Sequence, residues 1–574
     1  MENDVIWQLN EDEPGAAEAI SAALGVSRLT AVLLLRRDIR TPEAADAFLN
    51  PCLDDLFDPM LLPDMETAVA RLNRAIDSGE TIFLHGDYDA DGVTSTALGL
   101  RALSAMGANV IPHIPRRSDG YDLQIVGVEK AKEKGASLIL TADCGTRAVA
   151  AVERANELGL DVLITDHHRP GEMLPPALAI VNPYREDAEI PFRSLCGAGV
   201  LFKLMDALIG HRRPTARRSF RMKYLDLVAL GTVADMTPLV GENRILVSHG
   251  LRTLTETTKK GLRTLLQSLK LEGKPVTAEN IGWSIGPCLN AAGRMEEAEL
   301  AFRLLVTGDA DEAEQLTAHL AALREQSKTE SARVTTEALT VALSDEFLSD
   351  RVLVLARERW GKGVIGIAAN RVVEACRRPV ILLAYSGEID AFVGSARSFG
   401  GFPLHTALAQ CDDLLARYGG HSQAAGVTVA AANLEAFRQR MNEIAAEYIE
   451  PEPGPVILPI DAEITDGRAL TLGFIEQLSL LEPYGCDNPE PTFMTRGVEI
   501  IQVRRVGQDR NTFQADLLLP GSDRPLRAVW FRNGERADGL SVGEEIDIAY
   551  SPKVNEWRGS VTVQIQLKDI KPRR

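Results

Sequence analysis

The pattern of apolar and polar residues divides the chain into segments of different structural class. Between residue 81 and about residue 163, short apolar runs such as TIFLH, ANVIPHI, LILT and DVLIT alternate with amphipathic stretches such as AVAAVERANELG. This alternation is typical of βαβ units and a parallel sheet. The order RVLVLA, VIGIAANRVVEAC, PVILLA repeats it on a smaller scale before residue 450. The pattern therefore predicts two α/β units.

The segments that flank the second unit have different patterns. Residues 309–348 are rich in Ala, Glu, Leu, Gln and Arg and contain neither Pro nor Gly, which predicts one or two long connecting helices. The stretch PEPGPVILPI at residues 451–460 contains four prolines and predicts a domain boundary. Five short alternating segments after it predict a small β-barrel of the OB type. We expect these parts: a 1–50 extension, a 51–308 core, a 309–348 connecting helix, a 349–450 second domain and a 451–574 barrel.

The composition is that of a globular protein. The 574 residues are 45% hydrophobic and 25% charged. The apolar runs are far shorter than the roughly 18 residues that a membrane span needs, and the acidic N-terminus does not resemble a secretory signal. We therefore expect a cytoplasmic protein with no membrane contact. The cysteines occur singly, so neither a disulfide framework nor a structural zinc site is predicted.

The charge is unevenly distributed along the chain. The net charge of −19 argues against a general nucleic-acid coat protein. From Arg496 onward, however, 14 basic residues against 11 acidic ones give +3, so the preceding residues sum to −22. A mildly basic barrel can bind a phosphate backbone and stack bases on aromatic side chains. The candidates are Arg504, Arg505, Arg510, Arg527, Arg532, Arg558, Trp530, Phe531, Tyr550 and Trp557.

Residue types that bind metals follow three strands of the first predicted sheet. The groups are His85, Asp87, Asp89 and Asp91 after the first strand, Asp143 after the second, and Asp166, His167 and His168 after the third. Parallel sheets bring the carboxyl ends of their strands to one edge, so we expect these side chains to converge. Carboxylates mixed with imidazoles suit Mn²⁺ or Mg²⁺, and so many carboxylates would repel one another without cations. Two ions that share a carboxylate suit an in-line displacement at phosphorus.

Each of these residues also has a simpler interpretation. Asp91, which precedes GVTST, fits the N-cap of the following helix, and the doublet of His167 and His168 fits a surface turn. Three successive strand ends with the same chemistry favour the metal site. Asp87 and Asp166 are predicted to orient the ligands rather than to bind the metal.

Eight segments together resemble a known family. HGDYDADGVT, TADCGT, TDHH and GTVADMTPL resemble the four motifs of the DHH phosphoesterase superfamily. CLNAAGRM, GKGVIGIAANR, GSARS and YGGHSQAAG resemble the RecJ family of bacterial single-strand exonucleases and its DHH-associated domain. The resemblance covers nearly the whole chain. It implies an α/β fold in which a long helix joins a DHH parallel-sheet core to a smaller α/β DHH-associated domain, followed by an OB-like β-barrel.

The resemblance also assigns roles to individual residues. It implies that His85, Asp89 and Asp143 hold one ion, that Asp91, Asp143, His167 and Asp235 hold a second, and that Asp143 bridges the two. Asp89, Asp91, Asp143 and His168 would be the catalytic residues, with His168 facing the scissile phosphate. The implied DNA contacts are Asn290, Arg294, Arg397, Gly420 and His421.

The implied activity is a Mn²⁺- or Mg²⁺-dependent exonuclease that degrades single-stranded DNA from the 5′ end and releases 5′-mononucleotides during repair and recombination. The implied partners are single-stranded DNA, a single-strand-binding protein and a RecQ-type helicase, and the enzyme would be a monomer. Two alternatives remain open from the residues alone. One is a DHH phosphoesterase for short oligonucleotides or small nucleotides, and the other is a scaffold that binds single strands without cutting them.

Overall fold

The computed structural model describes residues 5–10, 13–120, 122–450, 454–507, 510–557 and 559–573. The N-terminal extension forms one strand and three helices: β1 (Val5–Leu9), α1 (Pro14–Leu24), α2 (Arg28–Leu35) and α3 (Pro42–Leu49). The helices pack on the C-terminal barrel, in one apolar cluster that joins Ile20 and Leu33 to Phe493 and Phe513. The first 50 residues therefore share their core with the last domain.

The core domain begins with a parallel sheet, as the alternating pattern predicted. Its elements are α4 (Met65–Asp77), β2 (Thr81–His85), α5 (Ala90–Ala105), β3 (Asn109–His113), α6 (Ile125–Glu133), β4 (Leu138–Thr141), α7 (Val149–Glu157), β5 (Asp161–Thr165) and β6 (Ala179–Val181). The strand order is β3-β2-β4-β5-β6, and every neighbouring pair is parallel. The carboxyl ends of β2, β4 and β5 are therefore adjacent at one edge of the sheet.

A layer of helices completes the core and leads out of it. These helices are α8 (Gly197–Arg212), α9 (Arg217–Ala234), α10 (Gly241–Thr255), α11 (Lys260–Ser268), α12 (Ala278–Asn280), α13 (Gly286–Met295), α14 (Glu299–Val306) and α15 (Ala310–Ala342). Residues Ile281–Ile285 continue the helix between α12 and α13 with wider turns. The long connecting helix is α15, of 33 residues, and the Asp309 side chain caps it by accepting the Glu312 N–H.

The second domain is a mixed sheet with three helices. Its elements are β7 (Leu353–Arg357), α16 (Ile365–Cys376), β8 (Val380–Ser386), β9 (Ala391–Arg397), α17 (Leu404–Ala409), β10 (Leu415–Gly420), β11 (Ala424–Ala430) and α18 (Leu434–Ala445). The predicted β7-α16-β8 unit is parallel. The other pairs in the order β10-β11-β9-β8-β7 are antiparallel, which the apolar pattern did not predict.

The C-terminal domain is the predicted OB-type barrel. After β12 (Val456–Ile460), β13 (Ala462–Glu463) and α19 (Leu472–Ser479) come β14 (Phe493–Val506), β15 (Thr512–Leu518), β16 (Leu526–Trp530), β17 (Glu545–Trp557) and β18 (Ser560–Pro572). The last five strands run in the order β14-β15-β16-β18-β17, and β17 pairs with β14 to close the barrel. Strand β12 pairs in parallel with β1. Among the described residues, no helix is both long and apolar enough to cross a membrane.

Arg244 on α10 joins the core to both the N-terminal helices and the barrel domain. Its guanidinium donates to the carbonyls of Phe48 (2.7 Å), Leu481 (2.9 Å) and Leu480 (3.1 Å), and its Cζ lies 3.7 Å from the Phe48 ring centroid. Burial, together with the nearby Arg37, lowers the pKa of Arg244 to about 10. One charged side chain therefore satisfies three carbonyls at a junction of three parts of the chain.

Replacing Arg244 by methionine is expected to destabilise the protein by about 3 kcal/mol, because one buried and two partly buried carbonyls lose their donors. Arg244→Lys should recover part of the loss, since an ammonium cannot reach all three acceptors at once. Urea unfolding followed by circular dichroism measures the change, with Arg252→Met on the exposed side of the same helix as the control. An unchanged unfolding midpoint for Arg244→Met would contradict this role.

Candidate metal centre

The loop after β2 is shaped by Asp89. Its Oδ1 accepts the N–H groups of Asp91 (2.9 Å) and Gly92 (3.0 Å), so Asp89 caps α5. The helix therefore begins at Ala90, and the cap is Asp89 rather than Asp91. Gly92 has no room for a side chain, since a Cβ there would lie 2.6 Å from the Cβ of Asp87. The tight turn brings three aspartates to the edge of the sheet.

Asp91 is buried in the first turn of α5 and points at the start of α8. Its carboxylate accepts the N–H groups of Gly197 (2.6 Å) and Ala198 (3.0 Å), where the helix dipole favours a negative charge. A Cβ on Gly231 would overlap the Asp91 carboxylate, and a Cβ on Gly197 would overlap that of Asp143. These two glycines, on α9 and α8, make room for the carboxylates. The sequence analysis did not single out Gly197.

Asp143 follows β4 in a left-handed backbone conformation, with φ +69°. That conformation costs a non-glycine residue about 1 kcal/mol or more, so the surrounding packing must hold it in place. The side chain is buried, and within the described residues its Oδ1 has no hydrogen-bond partner. A buried carboxylate oxygen without a donor is available to bind a metal ion.

His167 lies among three carboxylates. Its Nε2 is 3.2 Å from Asp143 Oδ1, 3.8 Å from Asp235 Oδ2 and 3.9 Å from Asp91 Oδ2. Burial and the neighbouring His168 lower the pKa of His167 to about 3, so the ring is neutral. A neutral imidazole offers one nitrogen lone pair, which is the form that binds metals.

Three groups of side chains have ligand atoms within 4.8 Å of one another: Asp143, His167 and His168; Asp91, His167 and Asp235; and Asp87, Asp89 and Asp143. Asp143 and His167 each belong to two groups. Burial, with repulsion from Asp89, raises the pKa of Asp91 to about 6. Burial and neighbouring carboxylates likewise hold the pKa values of Asp87, Asp143 and Asp235 well above their usual range. This carboxylate and imidazole set fits divalent cations such as Mn²⁺ or Mg²⁺, whose charge would allow all the carboxylates to ionise.

His85 stands apart from these groups. Its ring centroid lies 5.3 Å from that of His113, and both ring nitrogens are buried without a partner in the described part of the chain. Burial lowers the pKa of His85 to about 3. A Cβ on Gly127 of α6 would lie 3.0 Å from His85 Cε1, so a glycine preserves space for the ring. Asp87, which was predicted to orient ligands, instead lies at ligand spacing from Asp89 and Asp143. His85 was expected at that position.

Asp166 organises the turn that carries the two histidines. Its carboxylate accepts the N–H groups of Thr146 (2.9 Å), His167 (2.7 Å) and His168 (3.0 Å), and it lies 2.7 Å from His168 Nδ1. Burial opposes ionisation, but His168 and these donors hold the pKa of Asp166 well below its usual range. Against the effect of burial, Asp166 raises the pKa of His168 to about 9. These are the contacts expected of a positioning residue, and they keep His168 protonated near neutral pH.

Asp122 is a further, half-buried carboxylate that was not predicted from the sequence. It has φ +72°, and its Oδ1 accepts the N–H groups of Gly145 (2.5 Å) and Leu123 (2.8 Å). The hydrogen bond from Gly145 holds the loop that follows Asp143 in place. Burial, with repulsion from Asp166, raises the pKa of Asp122 to about 6. No local motif marks this residue, because its partner lies 23 positions away.

We expect Asp122→Ala to lower kcat by about 10- to 100-fold, the range typical of groups that orient metal ligands. Asp122→Asn should retain most of the activity, because asparagine keeps the Oδ1 acceptor and tolerates a positive φ. Steady-state rates across a Mn²⁺ titration measure the effect, and Asp122→Ala should also need more Mn²⁺ for half-maximal rate. Equal loss in both variants would show that the negative charge, and not the hydrogen bond, is required.

Three guanidinium groups, termed here the arginine cluster, lie near the carboxylates: Arg117, Arg294 and Arg397. Arg397 donates to Ser395 Oγ (2.5 Å) and the Ala396 carbonyl (2.9 Å), and burial lowers its pKa. Burial, together with Arg117 and Arg397, lowers the pKa of Arg294 to about 10. Within the described residues, none of the three forms an ion pair with a carboxylate. Arg117 is exposed, and Arg294 and Arg397 are partly buried. Cations beside a metal site that are not paired with a carboxylate are suited to bind phosphate.

Arg117 was not found from the sequence, and its contacts show how it is held. Its Nε donates to the Gly293 carbonyl (3.1 Å), and its Cζ lies 4.4 Å from the Tyr88 ring centroid. A Cβ on Gly363 would overlap the Arg294 carbonyl, so this glycine lets the second domain approach the core closely. The approach brings Arg397 of the second domain to the two arginines of the core.

The other predicted DNA contacts take different positions. Asn290 Oδ1 accepts the Ala90 N–H (2.9 Å), so its side chain holds the loop between Asp89 and Asp91. Gly420 has φ +143°, and a Cβ there would overlap the Ala424 carbonyl. His421 is exposed as a residue, but partial desolvation of its ring, together with the charges of Arg147 and His168, lowers its pKa.

At least three of the ten barrel candidates have structural partners in the described part of the chain. Tyr550 is buried with its hydroxyl 3.0 Å from Thr495 Oγ1, Arg527 pairs with Asp516, and Arg505 pairs with Asp538. Phe531 is 57% exposed and Arg532 lines the cleft described next. Arg558 and the side chain of Trp557 lie outside the described residues.

A cleft of about 2900 Å³ runs from the carboxylates between the core and the second domain to the barrel. Its walls include Asp87, Asp89 and the arginine cluster near the metal centre, and Arg532 and Lys553 at the barrel. Its volume exceeds the roughly 300–1,000 Å³ of small-molecule sites, so the cleft has room for a polymer.

Comparison with known proteins agrees with this geometry. Family models match residues 81–232 as the N-terminal domain of the DHH family, residues 349–447 as the DHHA1 domain and residues 460–569 as the RecJ OB domain. The fold and the carboxylate and histidine centre thus define a phosphoesterase of the DHH class.

The similar proteins identify the branch within that class. The single-stranded-DNA-specific exonuclease RecJ of Bacillus subtilis is 35% identical over 567 residues, which are 98% of this chain and 70% of that protein. The RecJ exonuclease of Escherichia coli is 35% identical over 539 residues, which are 89% of this chain and 91% of that protein. The crystal structure of Thermus thermophilus RecJ with Mn²⁺ superposes with a TM-score of 0.84 at 32% identity, covering 100% of this chain and 80% of that one. The chain belongs to the RecJ family.

Proposed function

We propose that this protein is a Mn²⁺- or Mg²⁺-dependent exonuclease that degrades single-stranded DNA from the 5′ end and releases 5′-mononucleotides in repair and recombination. The observation that carries the proposal is the juxtaposition of the buried carboxylate and histidine centre with the arginine cluster in one long cleft. Its relatives are named single-stranded-DNA-specific exonucleases. The 5′ polarity and the mononucleotide product are drawn from the family resemblance.

The chain offers ligands for two cations. We assign His85, Asp89 and Asp143 to one and Asp91, Asp143, His167 and Asp235 to the other, with Asp87 within ligand spacing of Asp89 and Asp143. Crystal structures of Thermus thermophilus RecJ contain Mn²⁺ or Mg²⁺. When bound, such cations lower the pKa of a water molecule and stabilise the negative charge that develops on the phosphate.

The side chains around this centre hold and orient the strand. The arginine cluster binds phosphate oxygens at the end of the strand and places the first phosphodiester at the carboxylates. His168, kept protonated by Asp166, donates a hydrogen bond to a non-bridging oxygen of the scissile phosphate. The water oxygen adds to phosphorus, the bond from phosphorus to the 3′-oxygen breaks, and that oxygen takes up a proton.

The domain division at residues 50, 308, 348 and 450 remains part of this proposal. So do a monomeric state and a cytoplasmic location, and the association with a single-strand-binding protein and a RecQ-type helicase, which rests on the family resemblance. Light scattering during gel filtration tests the monomer against the chain mass of 62.4 kDa. Co-purification with each purified partner tests the associations.

The decisive experiment is a time course with Mn²⁺ on one single-stranded oligonucleotide, labelled at either its 5′ or its 3′ end. We expect the 5′ label to appear at once as a mononucleotide while the 3′-labelled strand shortens stepwise. Cleavage restricted to fragments of a few nucleotides would replace this proposal with a small-substrate phosphoesterase. Binding without cleavage would replace it with a scaffold.

Domain truncation is a weaker test, because the N-terminal helices share an apolar core with the barrel. A chain cut after residue 450 would expose that core, and a loss of activity would not distinguish strand binding from misfolding. Varying the length of the substrate leaves the protein intact and is the better comparison.

A further inference from the structure

One face of α13 and of the turns before it lines the cleft. The residues on this face are Trp283, Gly286, Pro287, Asn290, Gly293 and Arg294. Their spacing of three and four is that of a single helical stripe. The middle of the stripe carries only small residues and Asn290, so it leaves open space along the cleft. A tryptophan stands at one end of the stripe and an arginine at the other.

The two ends of the stripe point toward different domains. Arg294 belongs to the arginine cluster beside the second domain, and Asn290 is bonded to the loop of Asp89 and Asp91. At the opposite end, Glu279 of α12 lies 3.6 Å from Lys553 Nζ of the barrel. Trp283 therefore lies between the metal centre and the barrel. Seven residues separate it from Asn290, or about 10 Å along a helix.

Trp283 differs from the other tryptophans whose side chains the structure describes. It is 71% exposed. Trp360 is buried with its Nε1 bonded to Glu337, Trp7 donates to Asp569, and Trp530 is half-buried. The Trp283 carbonyl accepts a hydrogen bond from Arg324 of α15 (3.1 Å), which anchors the backbone beneath the ring. The indole is thus a large apolar surface on a fixed backbone, and it contributes little to any core.

We propose that Trp283 is a base-stacking residue, on which the indole stacks one base of the single strand on the 3′ side of the scissile phosphate. At the roughly 3.4 Å rise of a stacked strand, the offset of about 10 Å between Asn290 and Trp283 spans about three nucleotides. Stacking accepts any base, as a nuclease without sequence preference requires. The same contact selects against a duplex, whose paired bases are already stacked on their neighbours. This inference rests on the proposed function and adds a substrate-contacting residue to it.

The first test compares Trp283→Ala with Trp283→Phe in steady-state hydrolysis of a 5′-labelled oligonucleotide with Mn²⁺. Stacked bases contribute enough that Trp283→Ala should raise KM about 5- to 150-fold, with a much smaller change in kcat. Trp283→Phe should retain most of the affinity. Leu343→Ala, which removes an exposed apolar side chain that is 65% accessible outside the cleft, serves as the matched control. An unchanged KM for Trp283→Ala would overturn the proposal, as would a fall in kcat alone.

The second test moves a single abasic site through the first six nucleotides of the substrate. In the parent enzyme we expect one position, about the third from the scissile phosphate, at which loss of the base raises KM. That penalty should vanish in Trp283→Ala, because the partner ring is gone. A penalty that persists unchanged in the variant would overturn the proposal. If the parent enzyme does not cleave single strands at all, the proposed function fails, and the two failures are thereby distinguished.

Discussion

Replacing Asp143 by asparagine is expected to reduce the hydrolysis of single-stranded DNA by at least about 10³-fold. Asp143 belongs to two of the three candidate ligand groups, and its Oδ1 lies 3.2 Å from His167 Nε2. An amide keeps the shape of the side chain but removes the charge that two cations would share. Rates with saturating Mn²⁺ on a labelled oligonucleotide measure the loss. Near-normal turnover in Asp143→Asn would show that this residue does not hold the metals.

When no metal is bound, the same substitution is expected to stabilise the protein, although it lowers activity. Burial and neighbouring carboxylates raise the pKa of Asp143 in the folded protein. At pH values above the ordinary aspartate pKa, the folded state therefore binds more protons than the unfolded state. The stability of the metal-free protein consequently falls as pH rises through this range. Asp143→Asn removes this penalty, so with a chelator the variant should melt at a higher temperature than the parent at pH 8. The difference should shrink at pH 5.

Thermal unfolding with and without Mn²⁺ completes this test. The parent should gain stability from Mn²⁺, and more at pH 8 than at pH 5, because protons and cations compete for the same carboxylates. Asp143→Asn should lose most of that gain. A full Mn²⁺ response in the variant would contradict the assignment even if its activity were low.

Replacing Arg397 by alanine is expected to raise KM for single-stranded DNA by about 100-fold, with a smaller effect on kcat. Arg397 is held by Ser395 Oγ and the Ala396 carbonyl, both neutral groups, and Gly366 lies beside its Nη2. Its charge is thus available to a phosphate, and charge-assisted contacts of this kind are worth more than neutral hydrogen bonds. Arg397→Lys should be intermediate, because an ammonium keeps the charge but not the planar fork.

Salt dependence separates this role from a structural one. The parent should lose affinity steeply with rising salt, and Arg397→Ala should show a shallower slope because one phosphate contact is missing. Arg440→Ala, at a partly exposed arginine of the same domain that lies 3.5 Å from Asp413, is the matched control. A parallel salt slope in Arg397→Ala would indicate that the residue does not contact the strand.

Local patterns along the chain were sufficient to place much of the metal centre. The apolar runs before His85, Asp143 and Asp166 are buried strands, and a parallel sheet has one carboxyl edge. The strands of the barrel followed in the same way from alternation with a period of two. Asp235 came from the family resemblance, because it ends α9 and follows no strand.

The features that were missed depend on contacts between distant segments. Asp122 bonds to Gly145, Arg117 bonds to Gly293, and Gly197 is small because Asp143 lies against it. None of these residues differs locally from an ordinary loop aspartate, surface arginine or helix glycine. The partner gives each one its role, and no periodicity along the chain identifies the partner.

The amino-acid sequence by itself determined the classes of domain, their order and the edge of the sheet at which ligands gather, because these follow from hydrophobic periodicity and strand direction. Only the tertiary structure decided that the first 50 residues pack on the barrel, that Asp89 rather than Asp91 caps α5, and that Arg397 meets Arg294 across a cleft. Those outcomes depend on which surfaces are buried against each other. The packing of whole domains determines that burial, and no single segment does.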